Sequence, residues 1–131
     1  MTQYESIHWQ ITLGLQPGYH TEQQNVPSLQ TVGEIYQNLA ESVYQETGIY
    51  ISASLTPAKT VYRQEWGSPP GGEETVILMG CYNPEFAEKE AYIAVLKQLA
   101  GCLQREFQQT TLMLEIMPAD IIYMKNEGET K

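Results

Sequence analysis

The apolar residues of this chain follow two rhythms, and the order in which those rhythms alternate leaves very few folds open to it. Trp9, Ile11, Leu13 and Leu15 are apolar while His8, Gln10, Thr12 and Gly14 are not, the period of two expected of a half-buried strand. Val32, Ile35, Tyr36, Leu39, Ala40 and Val43 then recur at helical intervals until Gly48. Thr31 and Glu34 have capping-box spacing, with Ser28 as an alternative cap. Ile49, Ile51, Ala53 and Leu55 return to alternation, giving a second strand that Pro57 must bend, bulge or place at an edge and that continues over residues 58–63. WGSPPGG at 66–72 is turn chemistry, and ETVILMGCY at 74–82 is an apolar β run, so the two make a hairpin leading into a central strand.

Asn83, Pro84 and Glu85 read as the start of a second helix, with a cap, a proline at the first position and an acid at the positive dipole end. Tyr92, Val95, Leu96, Leu99, Cys102 and Leu103 form its stripe. Leu112, Leu114 and Ile116 alternate in a fourth strand that Pro118 is expected to stop. Residues 121–124 add either a short fifth strand or an arm onto a neighbour. The order is β-α-β-β-α-β, which predicts an α+β ferredoxin-like sandwich: an antiparallel four-stranded sheet with two helices on one face. At 131 residues the chain is read as one domain over residues 1–125, with a solvated acidic tail at 126–131.

Composition narrows the partners. A 42% apolar and 18% charged chain has enough apolar surface to offset ordering entropy. Seven basic against sixteen acidic residues give a net charge of −9 and a pI near 4.5. Nucleic acid and anionic membrane surfaces, which are bound through Lys and Arg, are therefore not expected partners. No apolar run approaches the roughly 18–20 residues that span a bilayer, and the N-terminus lacks a basic start and an apolar signal core. The expected location is cytoplasmic. Cys81 and Cys102 match no CxxC spacing and are expected to be small buried hydrophobes.

The runs WQITLGLQPG, GIYISASL, YRQEW and ETVILMG, with a helix opening NPEFAEK, resemble small bacterial ferredoxin-like families of unknown function. The resemblance covers about residues 9–117. It implies the fold, and no functional residue is carried over from it.

In this topology the first and second strands run parallel, so the long loop at 16–27 and the hairpin after strand two leave the sheet at the same end. Tyr19 and His20 would then approach Tyr62, Arg63, Glu65 and Trp66, joined by Thr110 and Thr111. Such a site would bind a small anion or planar molecule: Arg63 offers a forked donor, Tyr62 and Trp66 a stacking face, and His20 a proton shuttle near neutral pH. The plainer alternative has Arg63 and Glu65 on a solvated hairpin with Trp66 closing a hydrophobic corner.

A second candidate is the sheet face away from the helices, where His8, Gln10, Thr12, Tyr50, Ser52, Ser54, Met113, Glu115 and Met117 are expected. A thioether-rich face of this kind points to a homo-oligomer, as in the dimeric α/β-barrel families, with a cavity between faces. There His8 or Glu115 would serve as general base and Tyr50 would hydrogen-bond a developing oxyanion. The plainer alternative is a wetted cross-strand His–Glu pair. Phosphate-loop, dinucleotide, zinc-protease and nucleophile-elbow signatures are absent from the sequence, so no cofactor and no metal site are expected.

The function expected first is binding of a small molecule or a protein partner by a cytoplasmic oligomer. A cofactor-free enzyme of the isomerase or oxygenase kind is the alternative. A structural or assembly subunit, pairing residues 121–124 with a neighbouring edge strand, is the second alternative.

Overall fold

The computed structural model describes residues 1–17 and 26–126. It contains β1 (Thr2–Gly14), α1 (Leu29–Thr47), β2 (Ser54–Thr60), a short 3-10 turn (Gln64–Trp66), β3 (Glu73–Cys81), α2 (Lys89–Glu106) and β4 (Met113–Tyr123). The strand order is β2-β3-β1-β4, every neighbouring pair being antiparallel. This is the ferredoxin-like α+β arrangement expected from the order of periodicities. β1 and β2 run parallel with β3 between them.

One face of the sheet carries the core. Ile7, Trp9, Ile11 and Leu13 of β1 and Val76 and Leu78 of β3 are buried against Val32, Tyr36, Ala40 and Val43 of α1 and Leu96, Leu99 and Leu103 of α2. The residues between them in β1 and β3 therefore point to the other, helix-free face. Local chemistry sets the helix ends. The Ser28 hydroxyl accepts from the Thr31 N–H at 3.1 Å and so is the cap of α1. Gly48, left-handed at φ 79°, closes it with its N–H on the Tyr44 carbonyl.

Several element boundaries differ from those expected. α2 begins at Lys89, capped by the Glu88 carboxylate, rather than at Asn83. Asn83 instead closes an isolated turn: its side-chain oxygen accepts from Glu85 N–H and its carbonyl from Phe86 N–H. The Tyr82 hydroxyl, donating to the Ala87 carbonyl at 2.7 Å, holds the chain in that turn. β2 begins at Ser54, not at Ile49; carried on in the same register, residues 49–51 would fall beyond Cys81, where β3 ends. The buried Ile51 carbonyl accepts the Tyr36 hydroxyl at 2.7 Å instead.

Pro118 does not stop β4. It stands opposite Ile7, whose carbonyl accepts from Tyr82 on the β3 side, so the ladder groups of Ile7 face away from β4. The missing N–H of Pro118 therefore falls on the free edge, where a proline costs no ladder bond. Pro57 occupies the other edge strand in the same tolerated way. The strand runs on to Tyr123, pairing Ile121, Ile122 and Tyr123 with Tyr4, Gln3 and Thr2. Residues 121–123 are thus neither a fifth strand nor an arm onto a neighbour; they complete β4 within the chain. Among the described residues no helix is long and apolar enough to cross a membrane. Of the expected tail, residues 127–131 lie outside the described residues.

Candidate active site

Segments far apart in sequence meet where β1 ends and β3 begins. Gly14 stands opposite Thr75, and Thr60 of β2 opposite Glu73. All four, with Thr12, lie on the helix-free face, alternating with the core positions Leu13, Val76 and Ile11. Beyond Thr60 the chain turns through the Gln64–Trp66 3-10 turn, which stands Tyr62 and Trp66 along one side. The loop after α2 supplies Gln109 and Thr111 on the other, followed by Leu112 and Met113. Together they enclose a cleft of about 410 Å³.

The floor is made of hydroxyls, Thr60 and Thr75 sharing a hydrogen bond of 3.0 Å. Glu73 is the only acidic or basic side chain among the described residues lining the cleft. Burial lifts its carboxyl above the ordinary carboxylate value, and a hydrogen bond from Tyr62 opposes part of that rise. A half-buried carboxylate oriented by a phenol, in a cleft otherwise neutral, is the arrangement that favours a cationic ligand.

A second cleft of about 510 Å³ lies at the other end of the sheet, walled by Tyr44, Tyr50, Phe86 and Tyr92 with Cys81 and Asn83. No carboxylate, lysine, arginine or histidine is among its described lining residues, so it offers stacking surface but little acid–base chemistry. Among the described residues no three His, Cys, Asp or Glu side chains are grouped as a metal ion would need.

Residues 4–125 match the family model described as SAM lyase. The chain belongs to the SAM lyase family. Two solved structures share the fold. One is a phage SAM lyase in complex with S-methyl-5′-thioadenosine, 17% identical with a TM-score of 0.60, covering 90% of each chain. The other is a phage SAM lyase in the apo state, 17% identical with a TM-score of 0.62, covering 94% of each chain. No curated protein sequence matches significantly. The family is thus more specific than the families of unknown function that the sequence pattern resembles.

The expected site residues are only partly assembled. Tyr62 and Trp66 line the cleft together with Thr111. Arg63 and Glu65 pair with each other at 2.8 Å, both largely in solvent, and the Arg63 guanidinium lies 6.0 Å from the Trp66 ring centre. Tyr19 and His20 lie outside the described residues.

On the helix-free face, His8 stands between Cys81 and Met117, and Glu115 opposite Gln10, so His8 and Glu115 are diagonal neighbours on adjacent strands. Tyr50 is not with them. It packs edge-on to Tyr44 of α1, ring centres 6.2 Å apart, because it precedes β2 rather than belonging to it. The cysteines are not buried as expected: Cys81 is exposed and Cys102 half-buried, both free thiols. Register places Cys81 on the open face.

Glu73, Thr75, Gly14 and Gln109 were not among the expected site residues, and Thr12 and Met113 were expected only as part of the open sheet face. The one available signal for Glu73 was its position at the foot of the hairpin, two residues from Thr75 on the same strand face.

Proposed function

We propose that this protein cleaves S-adenosylmethionine in the Glu73–Tyr62 cleft, releasing S-methyl-5′-thioadenosine. Family membership gives the reaction class, and the observation that carries the placement is the Glu73 carboxylate, hydrogen-bonded by Tyr62 in a cleft with no other described charge. The substrate carries a sulfonium and an α-ammonium, so an anionic wall attracts it. A net charge of −9 favours its approach over that of phosphorylated nucleotides. Tyr62 and Trp66 offer π faces to the same cation.

Cleavage breaks the bond between sulfur and the γ-carbon of the methionine side chain, and the electron pair passes to sulfur, giving a neutral thioether. The four-carbon fragment balances the loss by closing its own carboxylate oxygen onto the γ-carbon as a lactone, with no proton transferred. Removal of a β-proton is the other balanced course. A carboxylate such as Glu73 is far too weak a base for a C–H bond that no carbonyl acidifies, so the intramolecular displacement is favoured. The cleft then contributes by folding the amino-acid chain back on itself and excluding water. Glu73 holds the ammonium and faces the sulfonium, Tyr62 fixes Glu73, and the threonine floor supplies neutral hydrogen bonds.

The reading is tested by incubating the purified chain with S-adenosylmethionine and separating products by chromatography. The expected products are S-methyl-5′-thioadenosine and the amino-acid lactone, and Glu73→Gln should lower the rate by at least about 100-fold. A folded protein that releases no thioether overturns the assignment. An unsaturated amino acid in place of the lactone overturns the displacement route. The cofactor-free enzyme expected as an alternative is compatible with this activity, as a lyase rather than an isomerase or oxygenase.

A homo-oligomer belongs to the same proposal. Met113 is 69% and Met117 40% exposed on the helix-free face, and among the described residues β4 has one edge without a partner strand, features that support a second copy covering this side. Light scattering at micromolar concentration should give a mass above that of one chain; a monomer removes this part of the proposal. A cytoplasmic location belongs to the same proposal.

A further inference from the structure

Gln109, in the loop between α2 and β4, has its amide locked in one orientation. Nε2 donates to the Gln16 carbonyl at 2.6 Å and to the Phe107 carbonyl at 3.0 Å. A flipped amide would set Oε1 against two carbonyl oxygens, so the donors must face that way. With both N–H groups used, the amide has only Oε1 left to offer.

That oxygen lies over Gly14. A Cβ at position 14 would collide with Oε1 and come within 2.9 Å of Cδ, so the amide occupies the space that any side chain there would fill. Position 14 points to the helix-free face, and Gly14 and Gln109 both line the cleft. The bare backbone at 14 is therefore what lets the amide reach around the end of the sheet and present a fixed acceptor to the cleft. The two walls differ in character: the hairpin wall carries the Glu73 charge, and the opposite wall sets the fixed Gln109 amide and the rotatable Thr111 hydroxyl beside Leu112 and Met113.

We propose that Gln109 Oε1 accepts a hydrogen bond from the exocyclic amino group of the substrate's adenine and so sets the base preference of the cleft; this rests on the lyase reading above. Leu112 and Met113 give the purine an apolar flank. An acceptor that cannot rotate favours an amino group at purine position 6 and repels the oxo group of hypoxanthine, because two acceptors then meet without a proton between them. A freely rotating glutamine would accommodate both bases by flipping. The bonds to Gln16 and Phe107 remove that freedom.

The test is calorimetric binding of S-methyl-5′-thioadenosine and of its 6-oxo counterpart, 5′-methylthioinosine, to the full chain. Wild type should bind the adenine compound at least about tenfold more tightly, and Gln109→Leu should bring the two within about twofold. If Gln109→Leu does not fold, Gly14→Ala provides the same reading, since its methyl group displaces the amide while leaving Gln109 in place. Equal affinities in wild type, a preference that survives in the folded variants, or no binding of either compound overturns the inference. Turnover is scored separately. A base preference without cleavage of S-adenosylmethionine defeats only the lyase reading, and cleavage without a preference defeats only the role of Gln109.

Discussion

The indole of Trp9 lies directly on the backbone of Gly80, its cross-strand partner, so closely that a Cβ there would be 2.7 Å from the ring atoms. Trp9 is wholly buried, and its Nε1 donates to the Tyr92 hydroxyl at 2.9 Å. The ring cannot retreat without breaking that bond and disturbing α2. Gly80→Ala is therefore expected to destabilise the protein by about 1–3 kcal/mol through overpacking. Urea unfolding followed by tryptophan fluorescence measures it; an unchanged midpoint would mean that the sheet flexes away at no cost.

Tyr36 and Tyr92 make stability fall in alkali. Burial is the main cause raising both phenols above their ordinary value of 10.0, so the folded state holds these protons more tightly than the unfolded chain does. Their contribution is constant below pH 10 and is lost as pH rises above it, when the unfolded chain alone ionises freely. Thermal unfolding temperatures should decline above about pH 10. Tyr36→Phe should flatten that decline, while losing about 1–2 kcal/mol at neutral pH because the Ile51 carbonyl no longer has its donor. A variant with the wild-type alkaline slope would show that Tyr36 does not govern it.

His8→Ala and Glu115→Ala should leave cleavage of S-adenosylmethionine within about threefold of wild type, as expected of substitutions away from the groups that hold the substrate. Both residues lie on the helix-free face, yet neither lines the Glu73 cleft. Steady-state rates settle the matter. A loss of the size expected for Glu73→Gln in either variant would move the chemistry toward the centre of the sheet.

The element order and the parallel relation of β1 and β2 were legible because periodicity reports which face of an element is buried, and the connections then leave little choice of topology. The meeting of Tyr62, Trp66 and Thr111 followed from that topology alone. Glu73 was not legible: beside Glu74 it reads as the polar start of a strand, and only the register opposite Thr60 puts one glutamate in the cleft and the other against Lys59. Tyr50 was misplaced because alternation continues back past Ser54, whereas strand pairing depends on where the partner ends. Pro118 misled for a related reason, since a proline stops a central strand but not an edge whose missing N–H faces solvent. Gln109 carries no pattern at all; its role depends on two backbone carbonyls and a glycine from another strand.

Glu73→Gln separates function from stability. Desolvation raises the carboxyl above its ordinary value and exceeds the opposing hydrogen bond from Tyr62, so the folded chain binds this proton more tightly than the unfolded chain. Between the ordinary carboxylate value of 4.5 and the higher folded value, stability therefore falls as pH rises, and above that window the ionised group carries its full penalty. Glutamine removes the charge and keeps an oxygen to accept the Tyr62 hydroxyl. The variant should unfold at a higher temperature than wild type at pH 7, with the difference shrinking as pH drops through that window toward 4.5, while cleavage is lost. Calorimetric scans from pH 4 to pH 8, run beside product chromatography, check both halves. A variant less stable than wild type at neutral pH would mean that the ionised carboxylate is a favourable part of the fold, and that its place in the cleft was not maintained against a cost.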